Sequence, residues 1–287
     1  MIYGITGNIK KTELWPALVE LIAGFRTESI RFVLDAPVAQ GLRERGLYPE
    51  TEQLAESANL PNASDVILSF GGDGTLLNTA FQIGARQTPI LGVNMGRLGF
   101  LADTEVAQLQ ETIRRLERGE YRIESRMVLE ARLDGVAGKD THWALNDIVI
   151  EHSQTTQLIS VEVKVDSAPL TTYWADGLII STPTGSTAYS LSVGGPILSP
   201  GSGVVVLTPL APHTLTVRPI VLPASATIDI RVPSQPYVFA ADGRSKIIED
   251  DSVHITIRQA QHSVKLIKMP EQDYFQTLRS KLRWSGK

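Results

Sequence analysis

The 287-residue sequence predicts a chain that is α/β in its first part and all-β in its second. Up to about residue 120, short apolar runs alternate with segments that carry an apolar stripe at helical spacing, as in βαβ units. After Tyr121 the apolar residues recur with a period of two, which is typical of strands. We therefore expect a Rossmann-like parallel-sheet domain at 1–122 and a β-rich domain at 123–268. A C-terminal helix within 269–287 should pack back on the first domain.

In the first part, each predicted strand is a short apolar run and each predicted helix has one apolar face. The run Val66–Phe70 is closed by Gly71-Gly72, which predicts a strand followed by a turn. Gly119 ends the last of these helices as a typical C′ residue. The predicted strands are Ile2–Thr6, Arg31–Leu34, Val66–Phe70 and Ile90–Val93, and the predicted helices are Trp15–Phe25, Gly74–Ala85 and the stripe from Val106 to Leu116.

In the second part, alternating apolar and polar residues predict strands separated by turn residues. The run Val161–Val165 alternates Val with Glu or Lys, which indicates a sheet with one face in water. The predicted strands are Met127–Leu133, Trp143–Glu151, Leu158–Val165, Gly177–Thr182, Val204–Leu210, Thr227–Val232, Tyr237–Ala241, Val253–Arg258 and Val264–Lys268, and the last helix is Tyr274–Leu282 with Phe275, Leu278 and Leu282.

Charge and composition exclude several classes of function. Twenty-seven Lys and Arg stand against 31 Asp and Glu, a net charge of −4, which argues against nucleic acid or an anionic membrane as the partner. The absence of cysteine excludes disulfide, thiolate–metal and cysteine-nucleophile chemistry. The N-terminus lacks the apolar core of a signal peptide, and the charge-free stretch 177–212 holds six Gly and five Pro, which argues against a spanning helix. We expect a soluble, cytoplasmic protein.

The sharpest motif is the glycine loop, residues 71–75, with the sequence GGDGT. It lies between a predicted strand and a predicted helix, where parallel sheets place their ligands. Its glycines allow close approach of phosphate groups, and the helix start offers N–H groups to an anion. Asp73 would repel that anion, so its functional interpretation is handling a proton or a cation. The alternative is that Asp73 only caps the helix that follows. Neither the Walker nor the dinucleotide fingerprint is present.

Two further segments carry candidate binding residues. Asn146 and Asp147 interrupt an apolar run, which indicates either a turn or bulge, or a polar pair aimed at a sugar or a base. Asp176 precedes the hydroxyl-rich segment, residues 181–190, which holds seven Ser, Thr or Tyr side chains and no charge. Such a lining suits a neutral polar ligand read by hydrogen bonds, although turn chemistry alone would also favour Ser and Thr.

Together these segments resemble the NAD kinase family. The glycine loop matches the family's Gly-Gly-Asp-Gly-Thr motif, and Asn146-Asp147 corresponds to its Asn-Glu pair. The run DGLIISTPTGSTAYS at 176–190 matches the family's long signature almost letter for letter. Diacylglycerol and sphingosine kinases share the glycine loop but lack that signature. The resemblance covers about residues 65–285.

The resemblance implies transfer of a phosphoryl group to the adenosine 2′-hydroxyl of NAD⁺, with Asp73 as the proton acceptor. Family members often have His or Arg at the position of Gln157 and a basic residue at the position of Trp174, so Arg244 is a candidate to neutralise the substrate's phosphates. The site residues implied are Asp73 and Gly74 beside the substrate, Asn146 and Asp147 at the ribose, Asp176 at the carboxamide, Thr187, Ala188, Tyr189, Ser190, Leu191 and Ser192 around the adenine, and Gln157, Trp174 and Arg244.

The resemblance also implies partners and cofactors: NAD⁺, ATP as phosphoryl donor, a divalent cation such as Mg²⁺ that bridges the donor's phosphates, and a homodimer or homotetramer. No protein metal ligand is expected from the sequence, because no histidines have metal-ligand spacing. Another nucleoside triphosphate or polyphosphate as donor, and NADH as acceptor, stay open. Two other functions compete with NAD kinase: a lipid kinase that uses the same glycine loop, and a non-catalytic NAD sensor.

Overall fold

A computed structural model describes residues 1–47, 56–96, 99–135, 140–153, 158–233 and 236–284. The chain divides into two compact units, each with its own apolar core. The first unit combines Met1–Ser125 with Val264–Lys287, and the second is the contiguous stretch Arg126–Ser263. No helix among the described residues is both long and apolar enough to cross a bilayer.

The helices flank the sheet of the first unit, apart from one short helix in the second. Of the seven helices within the described residues, four contain the helical segments predicted from sequence or overlap them closely. They are α1 (Leu14–Thr27), α2 (Ala36–Glu44), α3 (Leu60–Ala63), α4 (Asp73–Ile83), α5 (Leu109–Glu117), α6 (Tyr189–Ser192) and α7 (Tyr274–Leu282).

Helix α2 is the longest element that the sequence pattern misses. It packs closely against α1 at Gly41, where an added Cβ would lie 2.2 Å from the Trp15 ring. A glycine at the point of closest approach interrupts the apolar stripe that would otherwise identify a helix. Val38 and Leu42 are nevertheless fully buried.

The first unit is built on a parallel sheet, which confirms the predicted fold class. The strands run in the order β5-β4-β1-β2-β3, and Tyr3 pairs with Val66 while Ile67 pairs with Ile90. A short sixth strand pairs with β5. The strands are β1 (Ile2–Gly7), β2 (Arg31–Asp35), β3 (Glu56–Ser57), β4 (Val66–Gly71), β5 (Ile90–Asn94) and β6 (Thr104–Glu105).

The C-terminal helix belongs to the first unit, as predicted. Asp273 caps its N-terminus by accepting a hydrogen bond from the N–H of Phe275 at 3.1 Å. Leu278 is buried, and the Lys281 ammonium lies 5.6 Å from the centre of the Phe100 ring. The predicted face is only partly correct, because Phe275 is 55% exposed.

The second unit contains two antiparallel sheets whose apolar faces share one core. One sheet has the order β14-β13-β12-β9-β16-β17, and the other contains β11-β10-β15-β18 with β7 and β8. The strands are β7 (Arg122–Asp134), β8 (Asp140–Ala144), β9 (Asp147–His152), β10 (Ile159–Val165), β11 (Ala168–Ala175), β12 (Gly177–Ser181), β13 (Val204–Leu210), β14 (Ile220–Pro223), β15 (Ile228–Arg231), β16 (Tyr237–Ala241), β17 (Arg244–Ile248) and β18 (His254–Lys268).

The strand predictions for this unit are wrong at two places. The predicted single strand Trp143–Glu151 is two strands, β8 and β9, which belong to different sheets, with Leu145 and Asn146 between them. The predicted strands Val253–Arg258 and Val264–Lys268 are instead parts of one 15-residue strand, β18. Strands β11, β14 and β17 were not predicted. All three lie at sheet edges, where partial exposure of both faces weakens the alternation that identifies a strand.

Candidate functional site

The glycine loop joins the end of β4 to the start of α4 in the first unit. Gly72 occupies the N-cap position with an extended backbone (φ −117°, ψ −168°), and no side chain caps the helix. A Cβ added at Gly72 or Gly74 would meet no atom within 4 Å, so the backbone here is uncovered. An uncovered helix start suits an anionic group.

Asp73 does not cap its own helix, so the capping alternative is wrong. It is the first residue of α4, and its carboxylate accepts three backbone hydrogen bonds from the turn that follows β5. Oδ2 accepts from the N–H of Phe100 at 2.8 Å, and Oδ1 accepts from the N–H groups of Leu101 and Ala102 at 3.0 and 3.1 Å. A Cβ at Gly99 would lie 2.0 Å from Oδ1, so a glycine is needed for this contact.

A cavity of about 680 Å³ borders the glycine loop at the carboxyl ends of the parallel strands. Its lining includes Gly72 and Gly74, the segment Thr6–Lys11 at and just after the end of β1, and Asp35 at the end of β2. The Lys11 ammonium donates to the carbonyl oxygen of Met95 at 2.9 Å. Two lysines and an uncapped helix start make this part of the cavity suitable for phosphate groups.

In the second unit, Asn146 lies in the turn between β8 and β9, so the interpretation as a turn is correct. We call residues 145–147 the Asn146 turn. Its carbonyl groups are held by Thr182, whose N–H donates to the Asn146 oxygen at 2.9 Å and whose hydroxyl donates to the Leu145 oxygen at 2.6 Å. At Gly185 an added Cβ would lie 2.1 Å from the Asn146 oxygen, so the hydroxyl-rich segment is packed directly against this turn.

Asp147 and Asp242 are neighbouring carboxyls at the same turn. Asp147 is only 6% exposed, and burial, with the charge of Asp242 second, raises the pKa of its carboxyl to about 7. Burial also raises the pKa of Asp242, against the opposing effect of three backbone N–H groups. Asp147 is therefore partly protonated near neutral pH and can donate as well as accept a hydrogen bond.

The hydroxyl-rich segment uses several of its hydroxyl groups internally. Ser190 is fully buried and its hydroxyl lies 2.9 Å from that of Thr208. The Ser186 hydroxyl donates to the Pro183 oxygen at 2.7 Å, and Thr187 donates to the Thr184 oxygen at 3.1 Å. At the end of this segment and just beyond it, Tyr189 and Ser192 of α6 are exposed, and Thr187, Ala188 and Leu191 are partly exposed. These positions are the accessible part of the predicted adenine lining.

The remaining predicted residues that the structure describes lie on or next to strands β11, β12 and β17, which belong to two different sheets. Asp176 directly precedes β12, and its carbonyl accepts from the N–H of His152 at 3.0 Å. Trp174 is 57% exposed at the end of β11. Arg244 donates to the Trp143 oxygen at 3.0 Å and lies over the Trp143 ring. Gln157 lies outside the part of the chain that the structure describes.

Sequence analysis missed Asp242 as a site residue. The sequence signal at this position is the Asp242-Gly243 pair, which is typical of a hairpin turn rather than of a binding site. In the structure both residues have positive φ (47° and 75°) between β16 and β17. Nothing in that pattern indicates that the Asp242 carboxylate reaches residues 145–147, which are 95 to 97 positions away.

Substituting Asp147→Asn should stabilise the protein more at pH 8 than at pH 5. The folded protein keeps the proton of Asp147 up to about pH 7, while an unfolded chain releases it near pH 4. Wild-type stability therefore falls as the pH rises through this window, by at most about 1.36 kcal/mol per pH unit. The Asp147→Asn variant has no titrating group at this position, so its stability lacks this pH dependence. Thermal unfolding of both proteins at the two pH values measures the difference, and an equal difference at pH 5 and pH 8 would contradict the raised pKa.

Comparison with known proteins identifies the family of this chain. The sequence matches the ATP-NAD kinase N-terminal domain family over residues 26–121 and the ATP-NAD kinase C-terminal domain family over residues 145–269. A protein named NAD kinase from Bacteroides fragilis is 44% identical over 225 residues, which are 78% of this chain and 77% of that protein.

Solved structures show the same fold. The crystal structure of yeast NADH kinase complexed with NADH has a TM-score of 0.91 and 25% identity, covering all of this chain and 89% of that one. An NAD kinase from Archaeoglobus fulgidus in complex with ATP has a TM-score of 0.75 and 24% identity, covering both chains fully. Because the two domain families match most of the sequence and the relatives are more than 30% identical over most of their length, the chain belongs to the NAD kinase family.

Proposed function

We propose that this chain transfers the γ-phosphoryl group of ATP to the adenosine 2′-hydroxyl of NAD⁺, giving NADP⁺ and ADP, with Asp73 as the proton acceptor. The observation that carries the proposal is the Asp73 carboxylate, which three N–H groups hold in place beside the uncovered backbone of Gly72 and Gly74. If Asp73 had only a structural role, the residues on both sides of it would not need to be glycines whose backbone is open to a ligand.

The cavity beside the glycine loop is the proposed site for the donor's phosphates. Lys10 and Lys11 supply positive charge, and the first turn of α4 adds the positive end of a helix. Phosphoryl transfer needs little covalent help from the protein, so catalysis rests on positioning and on neutralising charge. Both needs are met by residues that line this cavity.

Asp73 keeps capacity for one more hydrogen bond on the oxygen proposed as the base. A carboxylate has about four acceptor positions, two on each oxygen. Leu101 and Ala102 occupy those of Oδ1, whereas Oδ2 accepts, among the described residues, only from Phe100. We assign the free position on Oδ2 to the 2′-hydroxyl, whose proton it accepts as the O–P bond forms.

The second unit supplies the proposed dinucleotide contacts. Asn146 and Asp147 would bind the ribose, Asp176 would accept from the carboxamide, and the exposed part of the 187–192 segment would line the adenine. Arg244 is already engaged by the Trp143 oxygen and by the charge of Asp242. We therefore assign it to supporting the turn of Asp242, with Trp174 as the candidate nearer the substrate.

The proposed divalent cation, Mg²⁺, fits this chain only as an ion carried mainly by the donor's phosphates. The described residues contain no cluster of three or more His, Cys, Asp or Glu side chains that could hold a metal. Asp35, which lines the cavity, offers a carboxylate to such an ion. When bound, the ion would neutralise charge on the phosphates.

By resemblance we also propose that the chain forms a homodimer or homotetramer, which analytical sedimentation would test. We propose a cytoplasmic location on the same ground, which cell fractionation would test.

A coupled assay on the purified full chain tests the proposal. Incubation with NAD⁺, ATP and Mg²⁺ should yield NADP⁺, read with an NADP-specific dehydrogenase, and omission of ATP or NAD⁺ should abolish it. Phosphorylation of diacylglycerol without NADP⁺ would show a lipid kinase instead. Calorimetric binding of NAD⁺ with no product would show a sensor.

A further inference from the structure

We propose that Asp242 is a positioning residue for dinucleotide binding: its carboxylate holds the Asn146 turn in the shape that presents Asn146 and Asp147 to the ribose. The inference deepens the proposed function and rests on it. It concerns only residues of the second unit, and it adds to the site a residue that contacts the binding turn through the backbone.

Four hydrogen bonds join Asp242 to the turn. Its Oδ2 accepts from the N–H of Leu145 at 2.7 Å, and its Oδ1 accepts from the N–H groups of Asn146 and Asp147 at 2.8 and 3.2 Å. In the reverse direction, the Asp242 N–H donates to the Asp147 oxygen at 3.0 Å. Three consecutive N–H groups that converge on one carboxylate fix the turn in a single conformation.

The opposite side of the turn is fixed as well. The Asn146 oxygen accepts from the N–H of Thr182 and from the hydroxyl of Ser181, and Gly185 packs against it. The backbone of Asn146 is thus bound on both sides. Within the described residues, no hydrogen bond involves its side-chain amide. The arrangement leaves that amide as the group available to a ligand.

A role confined to the hairpin does not account for these contacts. The β16–β17 turn needs only a residue that adopts a positive φ, which Asp or Asn supplies at position 242. Asp166 provides a matched comparison in the same unit. It has a positive φ of 49° in the turn between β10 and β11, and it accepts a hydrogen bond from the N–H of Thr227 at 2.9 Å. The flanking strands β10 and β11 do not belong to the sheet that contains β16 and β17.

The test compares Asp242→Asn with Asp166→Asn in the full chain. An asparagine keeps the positive φ at either position but has only one acceptor oxygen. We expect Asp242→Asn to raise the KM for NAD⁺ roughly tenfold, with the kcat and the KM for ATP little changed, because it loses about one charge-assisted hydrogen bond. Asp166→Asn should leave all three constants unchanged. Equal KM values for the two variants would overturn the inference.

Two further measurements keep the result interpretable. Asp242→Glu retains the charge but moves the oxygens by one methylene, so its KM for NAD⁺ should lie between those of wild type and Asp242→Asn; a wild-type value would overturn the inference. In nitrogen-15 NMR spectra, the amide protons of residues 145–147 should shift upfield in Asp242→Asn and stay in place in Asp166→Asn. If wild type makes no NADP⁺, the proposed function fails; if wild type is active and these contrasts are missing, only the role of Asp242 fails.

Discussion

Asp73→Asn should lower the kcat for NADP⁺ formation by roughly 10²–10⁴-fold, the usual contribution of a positioned general base. The amide nitrogen cannot take the proton of the 2′-hydroxyl, whichever way the side chain is oriented. NAD⁺ affinity should change much less, because the lost interaction matters chiefly in the transition state. Steady-state kinetics together with calorimetric binding of NAD⁺ measure the two effects separately.

The same substitution should also destabilise the first unit. An amide can satisfy the N–H groups of Leu101 and Ala102 with its oxygen, but its NH₂ group then faces the N–H of Phe100. Leaving that donor unpaired costs about 1–3 kcal/mol. A helix-capping Asp73 would instead lose almost nothing on replacement by Asn.

Asp65→Asn is the control for Asp73→Asn. The Asp65 carboxylate accepts a backbone hydrogen bond in the same unit, from the N–H of Ile2 at 2.8 Å, and Asp65 is not among the lining residues of the cavity beside the glycine loop. It should keep full kcat. An active Asp73→Asn enzyme would remove the proposed base, and an unchanged thermal midpoint would show that the contacts with residues 100–102 contribute little to stability.

Gly185→Ala should weaken NAD⁺ binding at least tenfold and lower the thermal midpoint. The new methyl group would lie 2.1 Å from the Asn146 oxygen and 2.4 Å from its carbonyl carbon. Both atoms are backbone, so the turn or the 182–187 segment must move, at a cost of about 1–3 kcal/mol for such overpacking. The displaced turn would no longer present Asn146 and Asp147 to the ribose.

Asn146→Ala separates the side chain from the backbone at this turn. It removes the amide but adds no atom near Gly185, so we expect weaker NAD⁺ binding by about 0.5–1.5 kcal/mol per lost hydrogen bond. The thermal midpoint should stay close to wild type. Calorimetry measures the NAD⁺ affinity of Asn146→Ala and of Gly185→Ala. If Gly185→Ala bound NAD⁺ as tightly as wild type, the proposed ribose site would be wrong.

The sequence predicted the parts of the molecule that depend on local pattern. The strand–loop–helix order around Gly71–Thr75 follows from an apolar run, two glycines and a helical stripe, so the place of Asp73 was predictable. Its partners were not, because Phe100, Leu101 and Ala102 lie 27 to 29 residues further along and reach Asp73 only in the folded sheet.

The second unit shows the same limit. The polar pair Asn146-Asp147 indicated a turn or a ligand contact. The local pattern did not show that the apolar run Trp143–Glu151 is divided between two strands of different sheets. Contacts with Asp242 and with Gly185 join residues 39 to 97 positions apart, and they determine the shape of the turn. The raised pKa of Asp147 comes first from its burial in the folded unit and second from the charge of Asp242. Such long-range pairing has no signature in a single window of sequence.

The pairing of β18 with β5 has a consequence for the order in which the protein folds during synthesis. Leu266 pairs in parallel with Ile90, and Ile267 and Met269 belong to the first unit's core, so that unit lacks part of its core until residues 266–269 have been made. The 138 residues from 126 to 263 are made in between. Leu266 is added 176 residues after Ile90, so at about 5–20 residues per second nascent chains hold the Ile90 edge unpaired for roughly 9–35 s. Ribosome-bound chains of this protein should therefore be most prone to aggregation while the second unit is being made.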